Sequence, residues 1–300
     1  MIKTKFALLA VSAILLVLSC NESGKNKSGQ TILEGKAEIY TDESLLPIVE
    51  DQVAVFESSY NADISIVPKS ETEVVNALMS GITKLAVLSR DLSQAEISHF
   101  TDNKIIPRRT RFATDAVIFI KNKGNNDTLI ALRDVIDFWK GKSVAGIKGL
   151  VFDNLNSGTV RYLDSLAGGT GIPSKGIFSF RNNGDAIKYI SANRDMIGVV
   201  GLNWINQPSA STDLSNINVL SVKEVDGQNY IYPSQNNLAE RKYPLARDLF
   251  VVDCQGFSGL GMGFASFIAG ERGQRIILKS GLLPVRIPGR KIVIRNQINK

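Results

Sequence analysis

The stretch AEIYTDESLLPIVEDQVAVFESSYNADISIVPKSETEVVNALMSGITKLAVL, residues 37–88, alternates short apolar runs with segments of helical period. Its apolar runs at 37–40, 62–67 and 85–88 predict three strands. Between the first two runs, apolar residues recur at spacings of three and four: Leu45, Val49, Val53, Phe56 and Tyr60. That spacing predicts a helix with one buried face, and a second helix is predicted over 71–80. The βαβαβ order predicts a parallel sheet covered by helices.

The same alternation continues to the end of the chain. Further strands are predicted at 114–120, 150–152, 197–201 and 249–252, and further helices at 132–139, 159–166, 185–193, from Phe264 and from Gln274. We interpret the pattern as a two-lobed α/β fold, each lobe a sheet flanked by helices. Lobe 1 is expected to hold residues 36–117 and 247–300, and lobe 2 residues 118–246. Ligands of such sheets bind beyond the carboxyl ends of the strands, here in the cleft between the lobes.

The first residues have the features of an export signal. Lys3 and Lys5 precede an apolar run over 6–18, which is too short for a bilayer that needs roughly 20 apolar residues. We predict a signal peptide over residues 1–19. Cys20 at the cut resembles the lipidated cysteine of a bacterial lipobox; the alternative is an ordinary signal peptide beside a chance cysteine. Residues 20–35 are polar and rich in Gly, Ser and Lys, which predicts a flexible tether to the lipid anchor.

Composition excludes several classes of protein. The net charge of +6 falls to 33 − 29 = +4 without Lys3 and Lys5, a mild surplus that suits an anionic ligand or membrane surface. Export and dispersed basic residues argue against nucleic acid as a partner. His99 is the only histidine, and Cys254 has no partner cysteine if Cys20 carries lipid. We therefore expect no metal site, no cofactor and no catalytic residues, and Cys254 is predicted to be a buried, inert thiol.

Three strand-to-helix loops form the candidate binding site. Their candidate ligand-binding residues are Asp42, Glu43 and Ser44 in the first loop, Ser89 and Arg90 in the second, and Asn156, Ser157, Gly158, Thr159 and Arg161 in the third. Free backbone N–H groups and the helix dipole favour an anion at a helix start. Gly158 allows close approach of the backbone, and the two arginines offer forked hydrogen bonds. The alternative for any single loop is ordinary helix capping.

The chain resembles the phosphate-binding proteins of bacterial ABC importers, which have the periplasmic-binding-protein type II fold. The resemblance covers about residues 37–288 and rests on five segments: Leu88–Leu92, Ser157-Gly158-Thr159, Ile197–Gly201, Tyr243–Arg247, and Gly273 to Pro284. It implies a non-enzymatic substrate-binding protein that captures phosphate and delivers it to an ABC permease. With the lipobox, Asp42-Glu43-Ser44 most resembles lipoprotein members from Bacteroidetes-type bacteria. The expected protein is a monomer in the cell envelope, anchored by lipid and facing the periplasm.

Departures from the family pattern bear on the ligand. Asp153 stands where better-known members have an arginine, and Arg90 stands where they often have an aspartate. Our hypothesis is that Arg90 and Arg161 offset part of the acidic charge, while one carboxylate selects protonated phosphate. The alternatives are another oxyanion, such as sulfate or molybdate, a phosphorylated small molecule, or an envelope sensor or scaffold with the same fold. An enzyme is the least favoured class.

Overall fold

The computed structural model describes residues 29–208 and 212–289; the predicted signal peptide and Cys20 lie outside the described residues. The strands are β1 Glu34–Asp42, β2 Asn61–Lys69, β3 Leu85–Leu88, β4 Arg108–Asn122, β5 Leu129–Ala131, β6 Leu150–Phe152, β7 Ile177–Ser179, β8 Ile197–Gly201, β9 Ile217–Val219, β10 Ser221–Lys223, β11 Tyr230–Ile231, β12 Ala246–Asp253 and β13 Leu283–Pro284. The helices are α1 Leu46–Ser59, α2 Glu71–Met79, α3 Gln94–Asp102, α4 Leu132–Trp139, α5 Gly158–Leu166, α6 Asn183–Ala192, α7 Asn203–Asn206, α8 Gln235–Ala239, α9 Leu260–Ala269 and α10 Glu271–Lys279.

One curled sheet organises the fold, with the strand order β2-β1-β3-β12-β4-β8-β6-β7. β1 pairs in parallel with both β2 and β3, which confirms the prediction from the opening βαβαβ pattern. β6 likewise pairs in parallel with β7 and β8. The carboxyl ends of β1, β2 and β3 therefore meet at one edge of the sheet, and those of β6, β7 and β8 meet at another.

β4 joins the two groups of parallel strands. Its residues 108–116 pair antiparallel with β12, and residues 117–120 pair antiparallel with β8. The predicted lobe boundary at 117/118 lies beside this change of partner, and the division into lobes stays a prediction. The predicted strand at 114–120 is too short because β4 continues through polar residues, whose backbone groups pair with β12 whatever their side chains.

Helices cover both groups of strands with apolar faces. The predicted face of α1 is buried at Val49, Val53 and Phe56, and the Phe56 ring meets the ring of Phe264 edge-on at 5.7 Å. In the second group of strands, fully buried Trp139 of α4 packs its ring edge-on against Phe152 of β6 at 5.8 Å. No helix of the described residues is long and apolar enough to cross a membrane.

Other predicted boundaries also differ from the structure. The tether was expected to reach residue 35, but Glu34 and Gly35 belong to β1 and pair with Asn61 and Ala62. The polar side chains of this segment do not predict a strand. Its backbone groups nevertheless form one, because pairing with β2 satisfies their hydrogen bonds. α9 begins at Leu260, before the predicted start, because the glycine-rich 256–263 segment enters the helix. Gly263 packs there against the backbone of Ile32, an approach that a side chain would prevent.

Candidate functional site

The three predicted loops converge on Gly158 at the start of α5. A Cβ atom at Gly158 would meet Asp42 Oδ2 at 2.5 Å, Glu71 Oε2 at 2.8 Å and, closest, the hydroxyl of Ser89. These atoms come from the end of β1, the start of α2 and the end of β3. Glycine is therefore required by close approach, and the structure brings Asp42, Ser89 and the 157–159 segment, one part of each loop, into one buried cluster.

The hydroxyls of the Ser-Gly-Thr segment form a short chain that ends on a carboxylate. Ser157 is the N-cap of α5, and its Oγ accepts from the backbone N–H of Val160 at 3.4 Å. Its hydroxyl lies 2.8 Å from that of Thr159, which donates to Asp153 Oδ1 at 3.2 Å. Ser157, Thr159 and Asp153 are all buried. The capping interpretation is thus correct for Ser157, and it coexists with the clustering of the loops.

Glu71 is a central member of the cluster that the sequence analysis did not select. It begins α2, and its side chain is only 2% exposed. Ser89 Oγ donates to Glu71 Oε2 at 2.7 Å, and Arg90 Nε donates to Oε1 at 3.0 Å. Arg161 donates from Nη2 to Oε2 at 3.2 Å and from Nε to Oε1. Burial alone raises the pKa of Glu71, but these donors outweigh burial and hold it below its usual value.

Both candidate arginines are therefore committed to carboxylates within the protein. Besides Glu71, Arg90 makes a forked pair with Glu96 of α3, with both N···O distances at 2.7 Å. Hydrogen bonding to Glu96 raises the pKa of Arg90, so this guanidinium stays charged. Arg161 side-chain atoms remain 39% exposed, whereas those of Arg90 are 22% exposed. The expectation that these arginines offset acidic charge fits this pairing, with Glu71 as the acid they neutralise.

The first loop places two acids in different surroundings. Fully buried Asp42 accepts from the backbone N–H of Ser44 at 3.1 Å through Oδ1. Burial, with the nearby charge of Glu71, raises the pKa of Asp42 to about 7. Glu43 accepts from the Asn183 backbone N–H at 3.2 Å and from its side-chain amide at 2.6 Å. Burial is the main cause that raises the pKa of Glu43 to about 8, and the negative charge of Asp153 is the second; the two outweigh these donors.

A buried ion pair lies beneath the first loop, on the neighbouring strands β4 and β12. Arg247 of β12 faces Asp115 of β4 in register and donates to its Oδ2 from Nη2 at 2.9 Å and from Nε at 3.2 Å. Arg247 Nη2 also donates to Ser44 Oγ at 3.2 Å. Both side chains are at most 2% exposed. No local sequence signal marks this pair, because both strands carry other charged residues, such as Arg111 of β4 and Asp248 of β12.

Unpaired polar atoms remain at the centre of the site. Among the described residues, Asp42 Oδ2, Asp153 Oδ2 and Arg247 Nη1 are buried and have no hydrogen-bond partner. Burial raises the pKa of Asp153 above its usual value. A buried unpaired group costs free energy, so a bound ligand with both donors and acceptors would stabilise this arrangement.

Two cavities flank the cluster. One of about 350 Å³ is lined by Ser89, Arg90, Arg161 and Arg247 and includes Tyr162. The other, of about 680 Å³, is lined by Glu43 and acidic neighbours and includes Trp204, Arg181 and Asn182. Both cavities carry charges of each sign, with arginines in excess over Asp91 and Asp248 in the smaller one and carboxylates in excess over Lys69 and Arg181 in the larger one.

Other singled-out residues lie outside the cluster or contact it only through the backbone. Asn156 is exposed, and its carbonyl accepts from the backbone N–H of Thr72 at 3.3 Å. Asp91 pairs with Arg109 at 2.8 Å. The Cys254 thiol is buried, which raises its pKa to about 12 and fits the prediction of an inert thiol. His99, near the end of α3, places a ring nitrogen 3.0 Å from the carbonyl oxygen of Met79.

Comparisons with known proteins agree with the curled α/β sheet described above. A model of the PBP superfamily domain matches residues 26–272. The chain belongs to the PBP superfamily. A curated PBP-superfamily relative, the phosphate-binding protein PstS of Borreliella burgdorferi, is 25% identical over 258 residues, 80% of this chain and 86% of the relative.

Solved structures share the PBP fold of this chain. A Clostridium perfringens protein assigned to phosphate ABC transport as a substrate-binding protein, solved with bound phosphate, has a TM-score of 0.70 at 19% identity. The match covers 84% of this chain and 100% of that one. An ABC-type phosphate transport receptor from Vibrio cholerae has a TM-score of 0.62 at 16% identity and covers 83% of this chain and 100% of its own. At these identities the likeness shows the fold.

Proposed function

We propose that this protein is an extracytoplasmic solute-binding protein that captures inorganic phosphate and delivers it to an ABC permease. The observation that carries the proposal is the convergence of three helix-start loops on Gly158. The named relatives support it, since the Borreliella burgdorferi protein is a phosphate-binding protein and the Clostridium perfringens structure holds phosphate. Residues 36–117 with 247–300 and residues 118–246 are the two lobes that close on the ligand.

Phosphate would bind where the loops meet. The donors are the Ser89 hydroxyl, the backbone N–H groups at the start of α5, and the guanidinium groups of Arg90 and Arg161. Unpaired Asp42 Oδ2 and Asp153 Oδ2 are acceptors for a proton that phosphate itself carries. A protonated phosphate therefore matches the site better than an anion without protons, because a carboxylate beside a fully charged anion is repelled.

Export and anchoring complete the proposal. Residues 1–19 direct the chain out of the cytoplasm, and lipidated Cys20 holds it at the cell envelope, facing the periplasm as a monomer. The protein binds and releases its ligand unchanged, so it is not an enzyme. Replacing Cys20 with serine removes the lipid anchor, and fractionation of cells should then move the protein from the membrane to the soluble envelope fraction.

A phosphorylated small molecule is the second candidate ligand. The observation that favours it is the cavity of about 680 Å³ beside Glu43, which is larger than an inorganic anion needs. Arg181, Asn182 and Trp204 on its wall could contact an organic group attached to the phosphate. Competition between inorganic phosphate and phosphate monoesters would separate the two candidates.

Calorimetric titration of refolded, ligand-stripped protein tests the main proposal. We expect one-to-one binding of phosphate and weak or no binding of sulfate and molybdate. Phosphate at 100 times its dissociation constant should add about 2.7 kcal/mol to the free energy of unfolding. Arg161→Ala and Ser89→Ala should weaken binding, whereas Arg133→Ala, which removes an exposed pair with Asp226, should not. Absence of both heat and thermal stabilisation would refute phosphate capture.

A further inference from the structure

The Glu71 carboxylate is hydrogen-bonded in the way that a bound oxyanion would be. Each of its two oxygens accepts from two donors: Oε2 from Ser89 Oγ and Arg161 Nη2, and Oε1 from Arg90 Nε and Arg161 Nε. One hydroxyl and two guanidinium groups, from two distant parts of the chain, therefore surround one buried anion. These are the same side chains that the proposed phosphate site uses.

The residues that donate to Glu71 also line the adjoining cavity, where an anion from solvent can reach them. Ser89, Arg90 and Arg161 all line the cavity of about 350 Å³, and Arg247 lines it with them. Arg247 is buried, and its Nη1 has no partner among the described residues. The cavity is thus lined by three arginines, and one of them keeps a buried guanidinium nitrogen without a partner, which an anion bound here could satisfy.

Glu71 also connects the two groups of parallel strands. It lies on α2, which packs on β1 and β3, whereas Arg161 lies on α5, which packs on β8. The neighbouring residue Thr72 adds two bonds to the carbonyl of Asn156, from its backbone N–H at 3.3 Å and its Oγ1 at 3.2 Å. Glu71 and Thr72 therefore join the two groups of parallel strands through side-chain and backbone hydrogen bonds.

We propose that Glu71 occupies the oxyanion position of the ligand-free protein and that phosphate binds by displacing its carboxylate. This inference rests on the proposed function for the identity of the incoming anion. Glu71 then competes with phosphate for Ser89, Arg90 and Arg161, and sets the phosphate concentration at which the site fills. It also holds the cleft closed in the absence of phosphate.

Titration of Glu71→Ala and Glu71→Gln with inorganic phosphate tests the displacement. Because the competing anion is gone, we expect Glu71→Ala to lower the dissociation constant at least tenfold, which corresponds to about 1.4 kcal/mol. Glu71→Gln should show a smaller gain, since the amide still fills the space without the charge. The matched control is Glu73→Gln in the same turn of α2, whose glutamine retains the capping interaction with Ser70.

The opposite result would overturn the inference. If both Glu71 variants bind phosphate more weakly than the wild type while the control is unchanged, Glu71 is a ligand-binding group rather than a competitor. Unchanged affinity in both variants would overturn it as well. Circular dichroism establishes that each variant is folded before its affinity is compared.

Small-angle X-ray scattering without phosphate separates this inference from the proposed function. We expect the wild type to be compact without ligand, Glu71→Ala to have a larger radius of gyration, and phosphate to make Glu71→Ala compact again. If neither protein binds phosphate, phosphate capture and its displacement of Glu71 both fail, but an expanded Glu71→Ala still shows that Glu71 bridges the cleft. Equal radii for ligand-free wild type and Glu71→Ala would refute the bridge.

Discussion

Replacing Gly158 with alanine tests whether the loops close to the distances seen in the structure. The new Cβ would lie 2.5 Å from Asp42 Oδ2 and 2.8 Å from Glu71 Oε2, and closer still to the Ser89 hydroxyl. Three elements would have to move at once, and overpacking of this kind costs about 1–3 kcal/mol. If the protein relieves the clash by opening the cleft, the cost falls on ligand binding. The expected rise in the phosphate dissociation constant is then about 5- to 150-fold.

Stability provides the second readout of Gly158→Ala. Because Glu71 is proposed to hold these loops together without phosphate, the clash should also lower the ligand-free melting temperature, and the gain of up to about 1 kcal/mol from alanine in place of glycine in a helix offsets only part of that cost. Gly184→Ala is the matched control, since Gly184 lies in the first turn of α6 and a Cβ there would meet nothing nearer than 3.3 Å. Wild-type phosphate affinity in Gly158→Ala would refute the closure of the loops around this residue.

Two further predictions concern buried charge. Arg247→Met leaves Asp115 buried and unpaired, so urea unfolding should show that the free energy of unfolding falls by about 3–5 kcal/mol. Arg111→Met, in an exposed pair on the same two strands, should lower it by at most about 1 kcal/mol. Equal losses in the two variants would contradict the importance of the buried pair. Phosphate affinity should fall as pH rises from 6 to 9, because Asp42, with a pKa of about 7, and Glu43, with a pKa of about 8, become charged. Calorimetry should find a shallower fall in Asp42→Asn, and an affinity that rises with pH would contradict the charge assignment.

Helices and strands could be predicted from the sequence where burial of one face gives their apolar residues a regular spacing. α4, β6 and β8 are predicted at the bounds that the structure shows, because α4 has apolar residues at helical spacing and β6 and β8 are short apolar runs. The strands β9, β10 and β11 hold two or three residues each, too few for a period to be visible. β9 pairs with β4 and β10 pairs with β5, both distant in sequence, and β11 in turn pairs with β10, so only tertiary pairing defines these strands.

The candidate site could be predicted in part, for a similar reason. Loops after β1, β3 and before α5 were found because Ser, Thr and Gly at helix starts are a local signal. Glu71 also follows a strand of the same parallel group, β2. An acidic residue in the first turn is common in helices, so this position did not mark Glu71 as a site residue. What distinguishes it is contact with Ser89 and Arg161, residues far along the chain. Local sequence could not show that contact.

The acidic character of the site follows from how its charges are divided. Five carboxyl groups, on Asp42, Glu43, Glu71, Asp115 and Asp153, face three guanidinium groups, on Arg90, Arg161 and Arg247. Arg247 is held by Asp115, and Arg90 and Arg161 are held by Glu71, so each arginine already has an acid.

An incoming anion therefore adds negative charge unless it brings protons or displaces a carboxylate. Phosphate can do both, because it can donate a proton to an unpaired Asp oxygen and can replace Glu71 on the arginines. Sulfate, which carries no proton near neutral pH, could only displace Glu71 and would leave buried acceptors unpaired. A site that holds unpaired acceptors discriminates strongly against an analogue without the matching hydroxyl. For the proposed function, the acid surplus is thus expected to favour selectivity for phosphate at the expense of affinity.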